Sequence, residues 1–234
     1  MERMAHAPEL LDGPLTDLPT LRGNLRDLAR VNRWTGGVDL SRRALAALAP
    51  PPLAISLLDV GTGAADIPVA LLADARRAGR ELTITAVDSR DEVLAAARAA
   101  EPELDRTPGL TLDVADGRSL PYGDGSFDVG HASLVLHHLE PDEAVAFLGE
   151  LARVARLGIV VNDLGRSPLT YFGARVLSRI GTRNHFTRHD APLSAQRAYT
   201  HGEVVGLLLG AGLRPVYLTR GLAGHRWALA AVRR

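Results

Sequence analysis

The first fifty residues carry apolar side chains at the spacing of helices. Apolar positions recur every three or four residues between Leu21 and Ala29, and a second such segment runs from Arg42 to Leu48. Gly36-Gly37 separates the two segments, and Pro50-Pro51-Pro52 ends the second, since proline does not fit a helix interior. The pattern predicts an N-terminal helical cap, residues 1–52, with a domain boundary at the prolines.

Beyond the prolines, short β-rich runs alternate with segments of helical spacing. Five strands are predicted, at residues 55–60, 82–88, 110–116, 127–132 and 157–163. Strand and helix alternate four times, which indicates βαβ units and a parallel sheet covered by helices on both faces.

The chain ends in a different pattern. Two strand-like runs, 214–219 and 227–232, are separated by only seven residues, too few for the helical crossover that parallel neighbours need. We therefore expect an antiparallel pair. The predicted fold class is α/β, with residues 53–234 forming a Rossmann-like, doubly wound sheet of seven strands, mostly parallel, with an antiparallel C-terminal strand pair.

One long segment, residues 164–200, departs from the alternation. Ser167 can cap a helix that runs through Leu169 to Ile180, and a polar stretch follows. Because long insertions at the carboxyl edge of a sheet often act as lids, we expect this segment and the N-terminal helices to cover a bound molecule. The spacing of His185 and His189 lacks a helical context in this polar stretch, so no metal is expected there.

Composition removes several kinds of chemistry. All 27 basic residues are arginine, and the chain has no lysine and no cysteine. Lysine Schiff bases, thiol nucleophiles, disulfides and cysteine-bound metals are therefore excluded. The 27 acidic residues bring the formal charge to zero, which disfavours nucleic acid as a partner. No apolar stretch reaches the ~20 residues of a membrane helix and no secretory signal is visible, so we expect a cytoplasmic protein without a membrane span.

A glycine loop follows the first predicted strand. Gly61-Thr62-Gly63 stands between that strand and a helix, where glycine permits tight torsions and close approach of a ligand. Asp88 and Asp116 end the next two strands. A carboxylate at the first position can accept hydrogen bonds from ribose hydroxyls, and one at the second can accept from an adenine amine. The three strand ends predict a nucleoside site.

Asp66 distinguishes between nucleoside ligands with and without a pyrophosphate. The dinucleotide fingerprint requires glycine or alanine at this position, and a carboxylate at a helix start repels a pyrophosphate. A ligand with ribose and adenine but no phosphate is favoured, and an NAD(P)-dependent oxidoreductase is kept as the alternative.

This order of motifs resembles the class I S-adenosylmethionine-dependent methyltransferases, over residues 53–234. The resemblance implies S-adenosyl-L-methionine as cofactor and S-adenosyl-L-homocysteine as product. It also implies a set of cofactor-binding residues: Asp59, Gly61, Thr62, Gly63, Asp88, Ser89, Asp116, Gly117, His131 and Ala132. Arg33 is a further candidate, as partner of the methionine carboxylate.

Two further segments resemble the small-molecule branch of that family. Phe127-Asp128-Val129-Gly130 and Leu136-His137-His138-Leu139 are similar to segments of ubiquinone and menaquinone methyltransferases. A third segment, Asn162-Asp163-Leu164-Gly165-Arg166 with Tyr171 following, resembles bacterial methyltransferases near phenolic polyketide pathways. The Asn/Asp-Pro-Pro-aromatic tetrapeptide of the nucleic-acid and protein-amide branch is absent from the sequence. The resemblance implies a small-molecule acceptor, from secondary metabolism and most readily an aromatic, quinone-like or polyketide hydroxyl, with methylation at carbon as the second possibility.

Methyl transfer is a direct displacement that requires alignment of acceptor, methyl and sulfur, so no metal is expected. A histidine can take the proton of an acceptor hydroxyl, and the candidates are His137, His138 and, after them, His131. The alternative is that the His137-His138 pair only begins a helix or lines the pocket. A non-catalytic S-adenosylmethionine-binding subunit is also left open, and the protein is expected to be a monomer or a homodimer.

Overall fold

The computed structural model describes residues 1–15, 17–50 and 54–234, and in this part of the chain seven strands form one sheet of order β3-β2-β1-β4-β5-β7-β6. The strands are β1 (Ile55–Val60), β2 (Leu82–Asp88), β3 (Leu110–Val114), β4 (Phe127–Ser133), β5 (Ala155–Leu164), β6 (Leu213–Arg220) and β7 (Arg226–Arg233). The predicted boundary after residue 52 falls at 51–53, outside the described residues.

The pairing of the strands confirms the predicted fold class. Strands β1 to β5 pair in parallel, and β7 lies antiparallel between β5 and β6. The chain adds β2 and β3 on one side of β1, then crosses to add β4 and β5 on the other. The carboxyl ends of β1 and β4 therefore flank the point where the strand order reverses, which is where open α/β sheets bind ligands.

Eight helices of the described chain accompany the sheet. They are α1 (Leu18–Trp34), α2 (Gly37–Leu48), α3 (Asp66–Arg77), α4 (Asp91–Ala100), α5 (Pro141–Val154), α6 (Pro168–Gly181), α7 (His185–Arg197) and α8 (His201–Gly210). Four short 3-10 helices lie at Leu10–Asp12, Leu104–Arg106, Leu136–His138 and Leu222–Gly224. No described helix is both long and apolar enough to cross a bilayer.

The N-terminal helices pack directly on the rest of the molecule. Leu40 and Ala44 of α2 are buried against the sheet, in one apolar cluster with Leu57 of β1. Leu25 of α1 is buried with Val93 of α4. Segment 1–50 thus shares its core with the sheet and with the helices around it.

Residues 164–200 contain two helices where one was predicted. Ser167 caps α6 as expected, with its side chain accepting a hydrogen bond from the amide of Thr170. The expectation that His185 and His189 lack a helical context is wrong, because both lie on α7. This helix buries polar residues, so no apolar period marks it; Asn184 begins it by accepting from the amide of Thr187.

Candidate active site

The glycine loop is folded tightly against the ends of β2 and β4. Gly61 and Gly63 both have positive φ, at 72° and 55°, which favours glycine. A Cβ on Gly61 would lie 2.4 Å from Cγ2 of Val135, so a larger residue does not fit. The amides of Gly61 and Thr62 donate to the carbonyl of Val87, at 2.8 and 2.9 Å. These contacts hold the loop at the carboxyl edge of the sheet.

Asp88 connects this loop to the end of β2. One carboxylate oxygen accepts from the amide of Gly63 at 3.1 Å, and the other from the amide of Arg90 at 3.2 Å. Burial raises the pKa of Asp88 despite these hydrogen bonds. Each oxygen retains a further lone pair, so the carboxylate can still accept from two hydroxyls. Ser89, beside it, is exposed.

The end of β3 is arranged differently. Asp116 lies two residues beyond the strand, and its carboxylate forms an ion pair with Arg118, with Nη2 and Oδ2 2.8 Å apart. Hydrogen bonds from Arg118 lower the pKa of Asp116. Gly117 is packed so closely that a Cβ would lie 2.6 Å from Val60 and 2.8 Å from Phe147. The carboxylate that was predicted to meet adenine is thus paired within its own loop.

Asp59 and His131 contact each other below the glycine loop. Both are nearly fully buried, and Nδ1 of His131 donates to Asp59 Oδ1 at 2.5 Å. On the other side of the ring, Nε2 lies 2.8 Å from the hydroxyl of Ser41 on α2. Both ring nitrogens thus have buried partners, and the contacts of His131 are those of a residue that fixes α2 on the sheet. Ala132, next in β4, is fully buried.

The pair His137 and His138 lies on the 3-10 helix after β4, with ring centroids 4.3 Å apart. Nδ1 of His137 donates to Asp163 at 2.7 Å, and Nδ1 of His138 donates to Asp12 at 2.8 Å. The side chain of His137 is 4% exposed and that of His138 is 22% exposed, so only the second is open to a small molecule. Asp12 comes from the predicted N-terminal cap, in whose first twelve residues the sequence predicted no site residue.

An arginine that the sequence did not single out occupies the same edge of the sheet. Arg226, at the start of β7, is fully buried and donates to Asn162 and Asn32, at 2.7 Å each, and to Ser133 at 2.9 Å. Arg33, the predicted partner of the methionine carboxylate, lies instead on the exposed face of α1. No pattern in the sequence predicts a buried role for Arg226, which follows the short 3-10 helix Leu222–Gly224.

Asp66 begins α3 and is partly buried. Nδ2 of Asn32 donates to both of its carboxylate oxygens, at 3.2 and 3.0 Å. Burial raises the pKa of Asp66 in spite of that contact. A carboxylate thus occupies the helix start at which a dinucleotide-binding protein would hold a pyrophosphate.

Part of the chain is similar in sequence to known methyltransferases. Residues 58–161 match a methyltransferase domain family. A ubiquinone/menaquinone biosynthesis C-methyltransferase of Rickettsia akari is 36% identical over 78 residues, which are 33% of this chain and 32% of that protein. The chain thus spans about a third of the length of the curated relatives it matches.

Solved structures extend the likeness to most of the chain. A S-adenosylmethionine-dependent methyltransferase of Aquifex aeolicus superimposes with a TM-score of 0.63 at 20% identity, over 90% of this chain and 97% of that one. An O-methyltransferase family 2 protein of Planctomyces limnophilus, in complex with apigenin, gives a TM-score of 0.67 at 17% identity, over 95% and 64% of the two chains. The protein has the fold of the S-adenosylmethionine-dependent methyltransferases, and its residues 58–161 match a methyltransferase domain family.

Proposed function

We propose that the protein transfers a methyl group from S-adenosylmethionine to a small molecule, most readily to a hydroxyl of an aromatic, quinone-like or polyketide acceptor of secondary metabolism. The observation that carries the proposal is the contact between Gly63 and Asp88, which joins the glycine loop to a strand-end carboxylate at the reversal of strand order. The cofactor would lie along this edge, with its ribose at Asp88.

The carboxylate of Asp66 supports a cofactor without phosphate. A pyrophosphate at the start of α3 would meet this buried carboxylate, whereas a sulfonium and an amino-acid group add no such repulsion. Asp66 therefore disfavours the NAD(P)-dependent alternative, both by its place in the sequence and by its place at the start of α3.

Residues 164–200 and the N-terminal helices would form the acceptor side. Helix α6 exposes a row of large apolar side chains: Leu169, Phe172, Val176, Leu177 and Ile180. A cavity of about 430 Å³ lies between α1 and the α6–α7 junction, lined by Arg26, Arg30, Thr182 and Asn184 among others. The apolar row on α6 would suit an aromatic ring of the acceptor, whereas the cavity, which is lined mostly by polar and charged side chains, would suit polar substituents.

Calorimetry and methyl transfer test the proposal together. The protein is titrated with S-adenosylmethionine, S-adenosylhomocysteine and NADH, then incubated with methyl-labelled cofactor and a panel of phenols, quinols and polyketides. We expect binding of the first two ligands only, followed by label in at least one acceptor. Binding of NADH alone would contradict the proposal. Cofactor binding without transfer to any acceptor would favour the non-catalytic subunit.

The product distinguishes attack by oxygen from attack by carbon. The curated relatives are named C-methyltransferases of ubiquinone/menaquinone biosynthesis, which supports carbon as the second candidate atom. Labelled product from a phenol can be assigned by its nuclear magnetic resonance spectrum, since a methoxy carbon and a ring methyl carbon differ widely in shift.

The histidine pair would assist the ionisation of the acceptor hydroxyl. His138 is the more accessible member, and its Nδ1 contact with Asp12 directs Nε2 away from that carboxylate. We expect His138→Ala to lower kcat about a hundredfold, the lower end of the range for acid–base assistance, with the Kd for cofactor unchanged. Single-turnover kinetics with a saturating acceptor measure the effect.

His6→Asn is the matched control, because His6 is exposed and asparagine tolerates its positive φ. This variant should retain full turnover. If His138→Ala does so too, the pair has a structural role only.

A further inference from the structure

Three ligand-type side chains meet beside the end of β4, and only one of them, His138, is the proposed base of the methyl transfer. The carboxylate of Glu9 and Nε2 of His137 and of His138 all lie within 4.8 Å of one another. Glu9 Oε1 is 3.8 Å from Nε2 of His137, and Glu9 Oε2 is 3.9 Å from Nε2 of His138. Two imidazoles and one carboxylate therefore surround a common point.

These distances are close to those between the ligand atoms of a bound transition metal. Zinc binds histidine nitrogen and carboxylate oxygen at about 2.0–2.2 Å, which puts tetrahedral ligand atoms about 3.3–3.6 Å apart. The observed separations of 3.8 and 3.9 Å exceed that range by a few tenths of an ångström. Ion binding would draw the Glu9 carboxylate and the two imidazoles, whose ligand atoms lie within 4.8 Å of one another, closer together.

Nδ1 of each imidazole forms a hydrogen bond with a carboxylate, as is common for histidines that bind a metal through Nε2. Nδ1 of His137 donates to Asp163 at 2.7 Å, and Nδ1 of His138 donates to Asp12 at 2.8 Å. A carboxylate that accepts from Nδ1 fixes the tautomer and leaves the lone pair of Nε2 free for a cation. Both histidines have this partner, although the two carboxylates come from distant parts of the chain.

Glu9 supplies a second, independent observation. The residue is 4% exposed, and its Oε1 is buried without a hydrogen-bond partner among the described residues, while Oε2 accepts from Ser194 at 2.9 Å. Nε of Arg197 is 4.0 Å from Oε1 and donates instead to the carbonyl of His137. A buried carboxylate oxygen without a partner is costly, and a cation between the three side chains would satisfy it.

We propose that Glu9, His137 and His138 bind one divalent ion of the zinc class. Imidazole nitrogen and carboxylate oxygen suit zinc, cobalt and nickel better than magnesium or calcium. Three protein ligands leave a fourth position for water or another oxygen ligand. The partial exposure of His138 and Asp12 gives a route to that position.

The ion would also fasten the N-terminal segment. Glu9 precedes the short helix Leu10–Asp12, whose end is held at Leu11 and Gly13 by Arg90, two residues beyond Asp88. The N-terminal segment passes the proposed ribose position, and metal binding would therefore attach this segment to the end of β4. A bound ion would take the lone pair of Nε2 of His138, so ion binding and proton transfer by this imidazole exclude each other. Metal binding is therefore measured by itself, without cofactor or acceptor.

Titration of tag-free protein, stripped with a chelator and dialysed, tests the site. Calorimetry with zinc chloride should give one ion per chain with a Kd of about 1 µM or lower. Cobalt chloride should give visible absorption bands of four-coordinate geometry, which zinc then abolishes. Glu9→Gln and His138→Gln should each weaken zinc binding more than tenfold. Asp12→Asn, which keeps both metal-binding histidines, should weaken it about tenfold.

The controls separate this site from adventitious binding and from misfolding. His185→Ala removes an exposed imidazole of α7 and should leave zinc affinity unchanged. Circular dichroism establishes that each variant is folded. Asp12 is the most exposed of the changed residues, so Asp12→Asn still tests the site if Glu9→Gln does not fold. Absence of saturable zinc binding below 100 µM (about a hundred times the expected Kd), or undiminished affinity in the folded Glu9, His138 and Asp12 variants, would overturn the proposal. Turnover does not enter this test, since His138 is also the proposed base of the methyl transfer.

Discussion

Replacing Asp88 by alanine is expected to weaken S-adenosylhomocysteine binding by at least a factor of about 100. Each hydrogen bond from a ribose hydroxyl to a carboxylate contributes about 1.5–3 kcal/mol, and the carboxylate has a free lone pair on each oxygen for two of them. Their combined loss, about 3–6 kcal/mol, corresponds to more than a hundredfold in Kd. Calorimetry with the product, which is chemically stable, measures the change.

Part of that loss would come from the protein itself. Asp88 also accepts from the amides of Gly63 and Arg90, so its removal loosens the glycine loop. Asp88→Asn retains the shape and one acceptor oxygen, and should lose less affinity than Asp88→Ala. Asp113→Ala, at an exposed position of the neighbouring strand, should bind normally. An affinity within threefold of the wild type in Asp88→Ala would rule out a ribose at this position.

Replacing Arg226 by methionine is expected to lower the free energy of unfolding by about 3–5 kcal/mol, because the carboxylates of Asp163 and Asp66 would lose the positive charge that attracts them. The guanidinium is fully buried, and burial lowers its pKa to about 10. Methionine fills much of the volume but leaves the amide oxygens of Asn162 and Asn32 without their donor. Urea unfolding followed by circular dichroism measures the difference.

Arg220→Met is the matched comparison, because Arg220 is exposed and pairs with the residue next to Arg226 across the β6–β7 ladder. This variant should stay within about 1 kcal/mol of the wild type, as surface substitutions usually do. If Arg226→Met were equally mild, the asparagines would have to find other partners, and the guanidinium would not be holding this edge of the sheet together.

Local patterns in the sequence carry most of the fold. The predicted bounds of β1 and β2 coincide with the observed strands, because each is a short apolar run ended by a turn residue. The short link before β7 correctly predicted an antiparallel neighbour. Helix α7 was not predicted, because it buries Thr187, Asp190 and Arg197 and its apolar residues do not recur at helical spacing.

The candidate site was predictable only where its residues follow strands. Asp88 and the glycine loop meet because parallel strands end at one edge, which the sequence implies. Glu9 and His137 are brought together by the path of the N-terminal segment, which leaves no periodic signal. The ion pair of Asp116 with Arg118 spans two residues, so it could have been expected from the sequence.

The polar contacts of α2 set the order in which the chain can acquire its structure. Ser41 of α2 meets His131 and Asn162, which lie 90 and 121 residues further along the chain, and Asn162 also donates to the carbonyl of Gly37. During synthesis, α2 therefore leaves the ribosome long before β4 and β5 exist to receive it. Contacts of such high sequence separation form late and slow a chain's folding. The polar contacts of α2 can thus be completed only after β4 and β5 have been made.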